Sequence, residues 1–141
     1  MFATHVSPSQ AYARVAVETG VMSANPHRLI LMLFDGALLS LAGARRALQE
    51  GEIATKGESV SKAIDIVANG LKASLDPGAG GELAPRLAAL YDYICARLLH
   101  ANLHNDRAAL DECARLLTEL RGAWEEIADD PAVVSPSARP S

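Results

Sequence analysis

Aromatic side chains are scarce: one Trp, three Tyr and two Phe, 4% of the chain. Half of the residues are nonetheless apolar, so the apolar mass is Leu, Ala, Val and Ile. Leu and Ala are strong helix formers. Cysteine is limited to Cys95 and Cys113. They lack CxxC spacing and fall on apolar stripes, which suits small buried hydrophobes in a reducing compartment. Glycine and proline gather at a few places instead of recurring every ~8–12 residues, which argues against a many-stranded β fold. Basic runs are missing as well. Arg45-Arg46 is the only adjacent pair, and it reads as a solvated helix face. The formal net charge is −4. With no basic patch, a nucleic-acid partner is not expected.

The chain has no opening basic region followed by an apolar stretch, so no secretory signal is expected. The longest weakly charged stretch, Leu29 to Ala44, carries only Asp35. It is shorter than the ~20 apolar residues that cross a bilayer, so no membrane span is expected.

Catalytic constellations are missing too. His100 and His104 lie four apart, a spacing that suits zinc, but Ala101 stands where the general-base Glu of a zinc hydrolase belongs. No further ligand is apparent. No Glu-x-x-His pair suggests a di-iron bundle, no CxxCH suggests covalent haem, and no Gly loop suits a phosphate. Lys56-Gly57-Glu58-Ser59 resembles the motif that comes after the phosphorylated His of phosphotransfer domains, but Ile53 occupies the place of that His. A covalent mechanism needs its nucleophile. The expectation is a protein that is not an enzyme, with no cofactor and no metal.

Helical periodicity, by contrast, is plain. Asn25-Pro26 is a strong start signal, because Asn is a favoured N-cap and Pro fits the first helical position. That first helix is expected to run to about Gly51. A second starts near Glu52, with the stripe Ile53, Val60, Ile64, Val67, Leu71 and Leu75 and a weak point at Lys56-Gly57. The Asp76–Gly81 segment, with one Pro and three Gly, breaks the chain. The third helix begins around Glu82, with the stripe Leu83, Leu87, Leu90, Ile94, Leu98 and Ala101. Asn105-Asp106 stops it and caps the fourth, whose stripe is Leu110, Cys113, Leu117, Leu120, Trp124 and Ile127. Short connections favour antiparallel neighbours. The expected fold is all-α: an antiparallel four-helix bundle over 25–130, a short N-terminal helical segment over 1–24 packed on it, and a disordered Pro- and Ser-rich tail over 131–141.

The first helix carries more apolar surface than one stripe. Leu29-Ile30-Leu31-Met32-Leu33-Phe34 covers more than a full turn, so it points every way around the axis. Leaving several such side chains in water costs several kcal/mol at ~25 cal/mol per Å². Either neighbours surround this helix, or the stripe Tyr12, Val15 and Val17 covers it until a partner takes its place. Gly36 and Gly43 on the same helix suggest close approach of another backbone. Trp124 lies on the inward stripe of its helix. Tyr91 and Tyr93 are two residues apart and cannot share a face, so one is core and one is nearer the surface. Asn102 and Asp35 sit beside apolar stripes as hydrogen-bonding groups.

The order of several motifs resembles the flagellin-specific export chaperones of bacteria, the FliS type. Ala11-Tyr12 precedes a Val-rich segment, and Ala24-Asn25-Pro26 leads into Leu29-Ile30 and Leu33-Phe34-Asp35-Gly36. Gly80-Gly81-Glu82-Leu83 precedes Leu90-Tyr91-Asp92-Tyr93-Ile94. Arg97-Leu98, Ala101-Asn102, Asn105-Asp106 and Leu120-Arg121-x-Ala123-Trp124 come next. The family often has Tyr where Phe34 stands and Ser where Asn25 stands; Asn serves equally as a cap. The resemblance implies a cytoplasmic chaperone that binds the disordered C-terminal segment of monomeric flagellin. Covering that segment prevents premature polymerisation and keeps the subunit fit for the flagellar export gate, which is a further expected contact of the chaperone–client complex. Candidate client or cover residues are Tyr12, Val15, Val17, Leu29, Leu33, Phe34, Tyr91, Tyr93 and Asn102. Asn25, Pro26, Gly36 and Trp124 are expected to be structural. The alternative is a self-associating helical bundle that regulates something else.

Overall fold

The computed structural model describes residues 25–76 and 81–127. Four helices run in order: α1 (Pro26–Gln49), α2 (Ile53–Asp65), α3 (Leu83–His104) and α4 (Arg107–Ile127). α2 continues as a π-helical stretch, Ile66–Leu71, and a short 3-10 turn, Lys72–Ser74. Each helix packs on two others: α1 on α2 and α4, and α3 on α2 and α4, with α1 diagonal to α3. Contacts run start to end: His27 of α1 meets Trp124 of α4, and Lys56 of α2 meets Asn102 of α3. The neighbours are therefore antiparallel, as the short connections imply. The expected segments 1–24 and 131–141 lie outside the described residues.

The helix starts are set by side chains. Asn25 Oδ1 accepts the Arg28 backbone N–H at 2.8 Å, and Pro26 opens α1. Asp106 Oδ1 accepts the Ala109 N–H at 3.2 Å at the start of α4. Each such cap satisfies a backbone donor that the helix leaves unpaired, worth ~1 kcal/mol. Asn105 closes α3 in the left-handed region at φ 50, a conformation that Asn tolerates better than most residues.

The core draws on all four helices. Phe34, Leu41, Val60, Leu71, Ile94, Leu98, Leu110 and Leu117 are fully buried. Burying each such side chain stabilises the fold by roughly 1.5–3 kcal/mol. α1 is long and apolar enough, by length and composition, to cross a membrane. Its apolar residues Leu31, Phe34, Ala37, Leu41 and Ala44 instead form part of this core.

Four expectations need correction. Lys56-Gly57 does not weaken α2; the helix runs through it, and Lys56 is 3% exposed. Its ammonium donates to the Asn102 carbonyl and to Asn102 Oδ1 at 2.8 and 2.7 Å, which offsets the cost of burying a charge. Ile53 and Leu83, placed on inward stripes, are exposed. Each is the first residue of its helix, where the inward stripe has run past its neighbours. α2 does not keep one α-helical repeat to Leu75, because Ile66–Leu71 is π-helical, yet Val60, Ile64, Val67, Leu71 and Leu75 still lie in or against the core as expected. Finally, the groups that approach Gly36 and Gly43 are side chains, not backbone. A Cβ there would meet Ile66 Cδ1 at 3.4 Å and Ser59 Oγ at 3.5 Å.

Candidate client-binding surface

The two ends of the bundle differ. At the end where α1 finishes and α4 begins, Ala44, Val60, Ala101, Ala109, Leu110 and Cys113 are wholly buried. At the other end His27, Leu31, Phe34 and Ala84 are buried, but Ile30 and Leu33 of α1, Leu87 and Leu90 of α3, and Leu120 and Trp124 of α4 are only half-buried. From that same end the chain leaves the described bundle toward residue 24 and toward residue 128.

That end is tied by His27 and Trp124. Their rings stack with centroids 4.9 Å apart and planes 8° from parallel. Trp124 Nε1–H donates to the His27 carbonyl at 3.0 Å. His27 Nε2 lies 2.6 Å from the Trp124 carbonyl; a carbonyl only accepts, so that nitrogen carries the proton. One turn along, Arg121 Nε donates to Asp35 Oδ1 at 2.5 Å and Arg121 Nη1 donates to Glu125 at 3.1 Å. The Asp35 bond, first among the causes, raises the Arg121 guanidinium further above its ordinary value.

The sequence-derived candidates divide. Leu29 and Leu33 are half-buried on α1. Phe34 and Tyr91 are core residues, and burial pushes the Tyr91 hydroxyl up to about 12. Tyr93 is the surface member of its pair. Its hydroxyl donates to Glu112 at 2.5 Å, and Arg97 Nε donates to the same carboxylate at 2.9 Å. Those two bonds hold the Glu112 carboxyl below the usual range, the Tyr93 bond being the larger cause. Asn102 receives Lys56. Asn25 and Pro26 cap α1, and Trp124 ties α1 to α4. Tyr12, Val15 and Val17 lie outside the described residues.

Sequence reasoning missed His27, Lys56 and the outer face of α3. It assigned the apolar excess to α1 alone. Among the described residues, the exposed large apolar side chains are Leu39 on α1, Ile53 on α2, and Leu83, Tyr93, Leu99 and Leu103 on α3. Leu99 and Leu103, four apart and off the inward stripe, were the available signal. Neither thiol is set up for chemistry: burial, the leading cause for both, raises Cys95 and pushes Cys113 up to about 12. Among the described residues no group of three His, Cys, Asp or Glu side chains is placed to hold a metal ion.

A family model described as "Flagellar protein FliS" matches residues 8–131. The chain belongs to the FliS family. It is 54% identical over 118 residues to the flagellar secretion chaperone FliS of Salmonella typhimurium, covering 84% of this chain and 87% of that protein. It is 44% identical over 126 residues to the Escherichia coli protein of the same name, covering 89% and 93%. It is 47% identical over 116 residues to flagellar secretion chaperone FliSB of Pseudomonas aeruginosa, covering 82% and 91%. A crystal structure of a bacterial flagellar chaperone shares the fold, with a TM-score of 0.70 at 19% identity over 86% of this chain and 97% of that one. FliS is a family of flagellar secretion chaperones and not of enzymes.

Proposed function

We propose that this member of the FliS family chaperones flagellin in the cytoplasm, binding the disordered C-terminal segment of the monomer until export. The observation that carries the reading is the half-buried stripe end of the bundle around Ile30, Leu33, Leu87, Leu90 and Leu120. A client segment that folds into helices on binding suits such a surface, since apolar anchors at helical spacing enter an apolar groove. Coupled folding typically buries ~1,000–3,000 Å² and loses a few kcal/mol to ordering, which leaves release possible. Half-buried Leu29 and Leu33 contact the client in this reading, and residues 1–24 form a movable cover through Tyr12, Val15 and Val17. Residues 25–130 form the bundle and 131–141 a tail without a packing role. The loaded complex then meets the export gate.

Binding is measured by calorimetry to full-length flagellin and to flagellin without its C-terminal segment. Tight binding to the first and none to the second is expected. Equal affinity for both, or none for either, overturns the proposal. Hydrogen exchange over residues 10–20 tests the cover: protection there drops on flagellin binding, and unchanged or higher protection rules the cover out.

A further inference from the structure

We infer that His100 and His104 form an exchangeable two-imidazole site for a divalent transition cation, with Zn2+ as its ligand. His104 is the last residue of α3, and His100 stands one turn before it. Residues four apart share a helix face, so both rings project on the same side. His104 is exposed and His100 half-buried, so an ion reaches both from solvent. Their ring centroids are 4.6 Å apart, with planes tilted by 44°. A zinc ion sits ~2.0–2.1 Å from an imidazole nitrogen, which puts two neighbouring ligand rings roughly 4.5–5 Å apart, centre to centre. The two rings already stand at that separation.

Asp106 supplies the orientation. His100 Nε2 lies 3.1 Å from Asp106 Oδ2. A neutral imidazole has one donor and one acceptor nitrogen. A carboxylate accepts, so Nε2 carries the proton and Nδ1 keeps the lone pair that a metal needs. An imidazole held by a carboxylate through its other nitrogen is the usual arrangement around a bound metal. Asp106 is itself fixed, since its Oδ1 accepts the Ala109 N–H at 3.2 Å. The surrounding charge favours a cation as well. The carbonyl end of a helix attracts positive charge, and the pair lies at that end of α3. Arg97, whose charge also reaches Asp106, is matched by Glu112 at 2.9 Å. Asp106 orients His100 without being a ligand, so the protein supplies two ligands and water the rest. An ion held this way exchanges with solvent. Imidazole suits zinc, copper and nickel, whereas magnesium and calcium seek oxygen. The pair lies away from the half-buried end assigned to the client, and the inference does not rest on that assignment.

Calorimetric titration of zinc chloride into the tag-free full chain tests it, with magnesium chloride as the comparison. Zn2+ is expected to bind at one ion per chain, and Mg2+ to give no binding heat. His104→Gln and His100→Gln should each weaken Zn2+ by at least about tenfold, which is about 1.4 kcal/mol. His5→Gln should leave binding unchanged. Zn2+ should also raise the Tm of the wild type, because a ligand of the folded state stabilises it, and should not raise that of His104→Gln. Should His100→Gln lower the Tm without metal, the shift of the wild-type His100 imidazole NMR signal on adding Zn2+ decides in its place. No Zn2+ binding up to about 1 mM, the weak limit of specific association, overturns the inference. So does Mg2+ binding as tight as Zn2+, which would mark a carboxylate site. A loss in only one of the two variants overturns it too, since a chelate needs both rings, as does an equal loss in His5→Gln.

Discussion

His27 and Trp124 hold each other twice: each ring nitrogen donates to the other residue's backbone carbonyl while the rings stack. The residues are 97 positions apart in sequence. Their pairing joins the start of α1 to the end of α4, where the chain passes out of the described bundle on both sides.

That double bond gives the first prediction. Trp124→Phe keeps a ring for stacking and removes one donor, and should cost about 1 kcal/mol. Trp124→Ala removes the ring as well and should cost about 3 kcal/mol, the low end for a large-to-small change, because Trp124 is half-buried. Urea denaturation of the two variants checks the order. A Trp124→Ala midpoint equal to the wild type's contradicts it.

Lys56 and Asn102 form the second test. Lys56→Met leaves the Asn102 carbonyl and Oδ1 without their donor, and should cost about 1–3 kcal/mol. Asn102→Ala removes one of the two acceptors of the buried ammonium and keeps the backbone carbonyl. In a double-mutant cycle the two should couple by about 1–3 kcal/mol. Additive effects would mean that the bond between α2 and α3 contributes nothing beyond packing.

The third prediction concerns alkaline pH. Burial raises the Tyr91 hydroxyl from 10.0 to about 12 and the Cys113 thiol from 9.0 to about 12. For a group whose folded value is raised, the protonated form is favoured by folding. Its contribution is complete below the unfolded value and is lost as pH rises through the folded one. Stability should therefore decline between about pH 9 and pH 12, and Tyr91→Phe with Cys113→Ala should flatten that decline. Urea midpoints of wild type and double variant across this range supply the measurement; parallel curves would refute the assignment.

The fourth concerns Gly43. It lies inside α1, and an added Cβ meets Ser59 Oγ at an ordinary 3.5 Å. Gly43→Ala should stabilise by up to ~1 kcal/mol through helix propensity. A lower Tm would show that α1 and α2 need the closer approach.

Much of the bundle was legible because its signals are local. Asn25-Pro26 and Asn105-Asp106 act through backbone donors and φ values within a few residues. The stripe from Leu110 to Leu117 keeps the helical repeat. The sequence also separated Tyr91 from Tyr93, since two residues apart on a helix means different faces. The π-helical stretch over Ile66–Leu71 was not legible, because it answers to packing against α1 and α3 rather than to its own residues.

By itself, then, the sequence determined four helices, their caps and their inward stripes. Tertiary structure alone decided how completely each stripe is covered. Periodicity says which residues share a face, and burial depends on whether a neighbouring helix extends that far. Ile53 and Leu83 keep the period and end up in solvent, while Lys56 breaks it and ends up inside, held by a carbonyl 46 residues away. The same physics sealed one end of the bundle, left Ile30, Leu33, Leu87, Leu90 and Leu120 half-buried at the other, and turned Leu99 and Leu103 of α3 outward.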